Sequence, residues 1–258
     1  VVENDLIPAG DENLEVERPV VNQLLILINV GVFLAMYFWP KLFLPGATSI
    51  DDIINAYGFK PYFLVKGENL WTIFTAMFIH ADFAHILGNM LYLYIFGDNI
   101  EAALGKLRYL VFYFLSGIGA VIFHVFSVWV SVDLSPLAAY GSLNNPWLVP
   151  AVGASGAISG VLGAYLIMYP AGTVRAVGLW FVVPILFKIP AIAFIGFWFI
   201  YQLVLAFFSI LGPYVGIAFW AHVGGFITGI ALVPILADKN RIKMLKVLAS
   251  TRRYITLE

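Results

Sequence analysis

The sequence predicts an all-α fold, a polytopic membrane protein whose six transmembrane helices form one bundle. Three observations carry this. Of the 258 residues, 62% are hydrophobic and 11% are charged, against ~45–50% and ~25% in soluble domains, so a lipid bilayer is the natural solvent. Six apolar stretches approach the ~20 residues that a spanning helix needs. Lys and Arg concentrate in the C-terminal tail, as basic residues do on one side of chains oriented across a membrane.

The spans are read at residues 20–39, 83–96, 107–130, 150–169, within 190–210, and 215–236. Residues 179–188 are apolar but broken by Pro184 and Pro190. Joined to the fifth span they would overrun one helix, so they are read as an interfacial or re-entrant stretch buried against protein. The first connection, residues 40–70, contains IDDIINAYGFKPYFLV. Its mixture of apolar and polar residues suits an ordered segment lying in the interface plane.

Lys106, Arg108 and Arg175 fall in the second and fourth connections, and Lys239, Arg241, Lys243, Lys246, Arg252 and Arg253 in the C-terminal tail. The first connection has Lys41, Lys60 and Lys66, and the third and fifth have none. The basic side is therefore cytoplasmic, and six spans place both termini there. The chain divides into a polar cytoplasmic tail (1–19), a membrane domain (20–237) and a basic cytoplasmic tail (238–258). The opening VVENDLIPAGDENLEVE lacks the basic region and apolar run of a signal peptide. With a net charge of −1 and no basic patch among aromatics, nucleic acid is not an expected partner. Cys is absent, which excludes disulfides and thiolate metal sites.

Polar groups inside spans are costly and usually have a reason. Three clusters stand out. In Gly153-Ala154-Ser155-Gly156, the serine sits near the start of span four, among backbone N–H groups that lack intrahelical partners. Those groups suit a developing oxyanion; equally, Ser155 could be a small packing residue. In Ala221-His222-Val223-Gly224-Gly225, His222, Gly225 and Gly229 share one helix face. Opposite them, Gly156, Gly160 and Ala164 on span four form a stripe of small residues that allows close packing. That would bring His222 within reach of Ser155 as a general base; the alternative is an imidazole that braces the bundle. In His80-Ala-Asp-Phe-Ala-His85-Ile-Leu-Gly-Asn89, His85 and Asn89 share a face and could donate to an oxyanion or hold helices together. His80 suits bracing of the loop, and His124 suits a structural role.

With those clusters in place, the chain resembles the rhomboid family of intramembrane serine proteases. The resemblance rests on FIHADFAHILGNM, GDNIEAALGKLRYLVFYFLSG, VGASGAISG and AHVGGFITG, in that order, and covers residues 20–236. It implies a rhomboid-like six-helix bundle in a membrane and an intramembrane serine endopeptidase, with Ser155 as nucleophile and His222 as base in a dyad without Asp. It implies that His85 and Asn89, with the Ser155 backbone, stabilise the oxyanion. It implies single-span membrane proteins as substrates, the lipid bilayer as setting, and no metal or organic cofactor. With both tails cytoplasmic, a prokaryotic plasma membrane is the simplest location, with an organelle as the alternative. Glu101 and Gly105 match the family's E-x-x-x-G, where a structural hydrogen-bonding role is expected. The aromatic fifth span (Phe194, Phe197, Trp198, Tyr201) is expected to gate lateral entry or to face lipid.

Two positions depart from the family pattern. Thr72 follows Trp71 where some members have Arg, and Ser159 stands where some have an aromatic packed on the imidazole, so another group must hold His222. Other readings fit less well. No His is followed by Glu, which H-E-x-x-H metalloproteases require. Asp98 and Asp133 fall at opposite span ends, which does not suit an aspartyl protease. A transporter would carry paired midplane charges and repeats. A catalytically silent, helix-binding relative would have lost Ser155 or His222.

Overall fold

A computed structural model describes residues 7–11, 18–134, 145–180, 183–211, 218–238 and 240–243. Its long helices are α1 (Val20–Phe38), α5 (Phe83–Leu104), α6 (Lys106–Leu134), α7 (Ser155–Met168), α8 (Ala191–Leu211) and α9 (Phe219–Leu236). Shorter helices α2 (Ile50–Tyr57), α3 (Pro61–Lys66) and α4 (Thr72–Thr75) lie between α1 and α5. Helices α1, α6, α8 and α9 are long and apolar enough to cross a membrane. The protein is therefore an integral membrane protein. The two other expected spans differ from that standard. α5 carries Asp98, Asn99 and Glu101 near its C-terminal end. α7 has 14 residues, about 21 Å of helix, and falls short of the ~30 Å hydrocarbon core.

α7 lies at the centre, with Gly156 through Tyr165 all buried. Its glycines bring backbones together. A methyl group on Gly225 would collide with the Gly156 carbonyl, and one on Gly229 with the Gly160 backbone. On the other side, Gly160 faces Ser116 and Gly156 faces Ala120 of α6. Without a hydrophobic driving force between helices in lipid, such close packing is what holds them together. The largest core cluster spreads from here to Phe96, Phe112, Tyr165, Ile195 and Phe226.

The helical architecture expected of the chain carries one addition, a small three-stranded antiparallel sheet: β1 (Ile7–Asp11), β2 (Thr173–Trp180) and β3 (Val183–Pro190). β2 and β3 pair from Thr173↔Pro190 to Trp180↔Val183. β1 pairs with β2 from Ile7↔Val177 to Asp11↔Val174, with a register shift between Pro8 and Gly10. The stretch at 179–188, expected to be interfacial or re-entrant and buried against protein, is paired strand in its described part. Leu186 and Phe187 within it are exposed, which corrects the expected burial at those positions, while residues 181–182 lie outside the described residues. The reason is pairing: Pro184 and Pro190 end helical structure, but the ladder tolerates them near strand ends and edges. Part of the polar N-terminal segment is also tied down. The Asp11 carboxylate accepts from Asn99 Nδ2 at 2.8 Å and from the Tyr165 hydroxyl at 2.7 Å. Most of the basic C-terminal tail lies outside the described residues.

Glu101 supplies the hydrogen bonds that the E-x-x-x-G match led us to expect. Its buried carboxylate accepts from the backbone N–H groups of Val21 and Asn22 at 3.1 and 2.7 Å. These belong to the first turn of α1, where N–H groups lack intrahelical partners and the helix dipole favours an anion. Asn22 continues the network, donating to the Leu93 carbonyl and accepting from the Tyr109 hydroxyl. Gly105 then ends α5 at φ +83°, a conformation that suits glycine. Glu101→Ala is expected to destabilise the protein by about 2–4 kcal/mol, and Glu101→Gln by less, read as thermal midpoints in detergent. An unchanged midpoint in the alanine variant would remove the cap from the list of stabilising contacts.

Candidate active site

Three segments converge on the start of α7. The first is the α2–α3 connection, where Phe59 exchanges both backbone hydrogen bonds with Ala151 at 3.0 and 2.7 Å. This fixes the extended approach to the helix. Gly153 then turns the chain at φ +116°, its N–H donating to the Ala76 carbonyl. The first intrahelical bond of α7 runs from Ile158 N–H to the Ala154 carbonyl, and no side chain caps the helix. The N–H groups of Ser155, Gly156 and Ala157 therefore precede the ladder and point out of the helix start.

The second segment is the start of α5. Asp82 caps this helix, its carboxylate accepting from the His85 N–H at 2.8 Å, as expected of an N-cap aspartate. That cap orients the first two turns, which carry His85 and Asn89. A Cβ added at Gly153 would lie 2.6 Å from His85 Nε2 and 3.4 Å from Asn89 Nδ2. Both side chains thus lean over the backbone two residues ahead of Ser155, and only glycine leaves them room. Asn89 Nδ2 is buried and has no hydrogen-bond partner among the described residues. An unpaired buried donor is expensive, and it marks a place where an acceptor fits. His80 stands behind, fully buried, its Nε2 at 3.5 Å from the Ala154 N–H. Burial, with the neighbouring His85 adding to it, holds its imidazole far below the usual histidine range, at about 3. His80 is therefore a neutral brace under the loop.

The third segment is α9. Gly225 and Gly229 seat it on α7, and His222 lies one turn closer to the N-terminal end of α9. Its Nε2 is 2.9 Å from Ser155 Oγ, and its Nδ1 is 2.8 Å from Gln202 Oε1 on α8. Ser159 donates to the Ser155 carbonyl at 2.6 Å and does not hold the imidazole. Besides Gln202, the ring has Trp198 beside it, at 6.2 Å between centroids. The four aromatics of the fifth span divide: Phe197 and Tyr201 are exposed, while Trp198 faces His222 and Phe194 faces Tyr92.

Ser155, His222, His85, Asn89 and Gln202 line one cavity of about 650 Å³, a size that accommodates a ligand segment. His124 lines it from α6, its Nε2 without a hydrogen-bond partner among the described residues. Among the described residues, no group of three His, Cys, Asp or Glu side chains gathers as a metal site. Gln202 escaped the sequence reading. Its signal was a lone amide within an aromatic span, four residues from Trp198 and so on the same face.

The fold and site define an integral membrane helical bundle with a polar, serine- and histidine-lined cavity among its apolar helices. The chain belongs to the rhomboid family: the family model described as Rhomboid domain matches residues 67–239. It is similar to Rhomboid protease AarA of Providencia stuartii, with 30% identity over 143 residues, covering 55% of this chain and 48% of that protein. It is also similar to RHOMBOID-like protein 6, mitochondrial, of Arabidopsis thaliana, with 30% identity over 194 residues, covering 75% and 52% respectively. Putative rhomboid protease YdcA of Bacillus subtilis is 34% identical over 111 residues, 40% of this chain and 47% of that one. The chain thus spans about half the length of these curated relatives.

Proposed function

We propose that the chain is an intramembrane serine endopeptidase that cleaves transmembrane segments of single-span membrane proteins. The observation that carries this reading is the 2.9 Å approach of His222 Nε2 to Ser155 Oγ inside a membrane bundle. The protease names of relatives such as AarA support it. Six spans with both termini cytoplasmic, in a prokaryotic plasma membrane, complete the proposal, on the support of the Lys and Arg pattern.

A substrate helix must unwind before cleavage, because a helix hides its carbonyls in its own hydrogen bonds. Ser155 Oγ attacks one such carbonyl while His222 Nε2 takes the hydroxyl proton. The carbonyl oxygen becomes an oxyanion, which accepts from the Ser155 N–H, Asn89 Nδ2 and His85 Nε2. His222 then returns the proton to the leaving amine, giving an acyl-enzyme and a free amino terminus. Water, deprotonated by His222, hydrolyses the ester and restores Ser155.

A fluorophosphonate that labels wild type, and labels neither Ser155→Ala nor His222→Ala, is the expected result. Equal labelling of all three would sink the nucleophile assignment. Asn89→Ala is expected to reduce kcat by about 10²-fold with little change in folding, since its Nδ2 has no partner to lose among the described residues. Wild-type kcat in that variant would remove Asn89 from the oxyanion site.

A further inference from the structure

We propose that Gln202 is the positioning residue of His222: its amide oxygen accepts the Nδ1–H, which keeps the Nε2 lone pair aimed at Ser155. The proposal rests on the Ser155–His222 reading above and deepens it. A neutral imidazole carries one proton on either of two nitrogens, and a partner on one nitrogen decides which. Among the described residues, no acidic residue is hydrogen-bonded to His222; the groups at its nitrogens are Ser155 Oγ and Gln202 Oε1. If Nε2 held the proton, it could not take the Ser155 hydroxyl hydrogen. An amide oxygen 2.8 Å from Nδ1 accepts and does not donate, so it selects the useful tautomer.

Gln202 is placed to do this without strain or exposure. It is buried, and it lies one turn along α8 from Trp198, which flanks the same ring. A second contact fixes the spacing of the two helices. Trp220 Nε1, two residues before His222, donates to the Ala206 carbonyl, one turn beyond Gln202, at 2.7 Å. The Gln202–His222 and Trp220–Ala206 bonds therefore form two rungs between α8 and α9. A primary amide in an apolar span is costly unless satisfied, and His222 satisfies its oxygen. Because α8 carries this group, displacement of α8 away from α9 would disarm the base.

The test combines kinetics with a direct view of the ring. Wild type, Gln202→Leu and Gln202→Glu would be assayed in proteoliposomes on a single-span substrate. The same proteins, with ¹⁵N-labelled histidine, would be examined by NMR, where the chain's four histidines give a resolvable spectrum. Gln202→Leu is expected to lower kcat about tenfold with KM within about twofold, and to lose the Nδ1–H signal of His222. Gln202→Glu, which still accepts from Nδ1, is expected to restore most of kcat. Wild-type kcat in Gln202→Leu, or equal loss in the Leu and Glu variants, would overturn the proposal. So would a His222 tautomer that Gln202→Leu leaves unchanged. If Gln202→Leu alters the tautomer but Ser155→Ala still cleaves, the positioning contact stands and the serine protease reading fails.

Discussion

Ser155→Ala is expected to lose peptide-bond cleavage by about 10⁴-fold or more while remaining folded. The side chain removed is one half-exposed hydroxyl, whose partner is His222 Nε2 at 2.9 Å. Its loss leaves no large void, and His222 keeps its contact with Gln202. Stability should therefore change by less than about 1 kcal/mol. Groups that act as one unit lose activity non-additively, so Ser155→Ala/His222→Ala should be no slower than either single variant. Cleavage of a single-span substrate in proteoliposomes, with thermal midpoints alongside, reads both quantities. Substantial turnover by Ser155→Ala would show that the nucleophile lies elsewhere. A collapsed midpoint would show that the hydroxyl is structural.

Gly225→Val is expected to have the opposite signature, with folding and activity falling together. The new Cβ would overlap the Gly156 carbonyl and lie 3.3 Å from Ser159 Cβ, and backbone cannot swing aside as a side chain can. Overpacking of this kind costs about 3 kcal/mol. Relief by moving α9 outward would carry His222 away from Ser155, and a shift of about 1 Å can cost about 10²-fold in rate. Gly196→Ala provides the control, because nothing lies within 4 Å of a Cβ there. It should keep both its midpoint and its rate. An active, stable Gly225→Val would mean that α7 and α9 are not pressed together as described.

Helices and site were legible in the sequence to different degrees, for physical reasons. Long apolar runs announce helices because each satisfies its own backbone, so α1, expected at 20–39, is found at Val20–Phe38. The family, too, was readable from the order of its motifs. The sheet was not, because a ladder depends on partners distant in sequence: Ile7–Asp11 meets Thr173–Trp180 across more than half the chain. Of the residues singled out for chemistry, Ser155, His222, His85 and Asn89 line one cavity. Spacing within a motif gave their helix faces, since helical periodicity is local. It could not give Gln202, whose bond to His222 is a property of two helices brought together. Nor could it give the direction in which Asn89 points. The positive φ of Gly153 has no signal beyond the glycine itself.

Synthesis imposes an order on these helices. With about 21 Å of length and a nearly all-buried surface, α7 cannot settle alone in a bilayer of about 30 Å. It leaves the ribosome after α6, whose Ser116 and Ala120 receive one of its faces, but before α9, whose Gly225 and Gly229 receive another. A nascent chain that ends before α9 therefore has the serine but neither its histidine nor its complete support. On the proposed reading, Ser155 meets His222 only when α9 packs, so a truncated or stalled chain is expected to be inert.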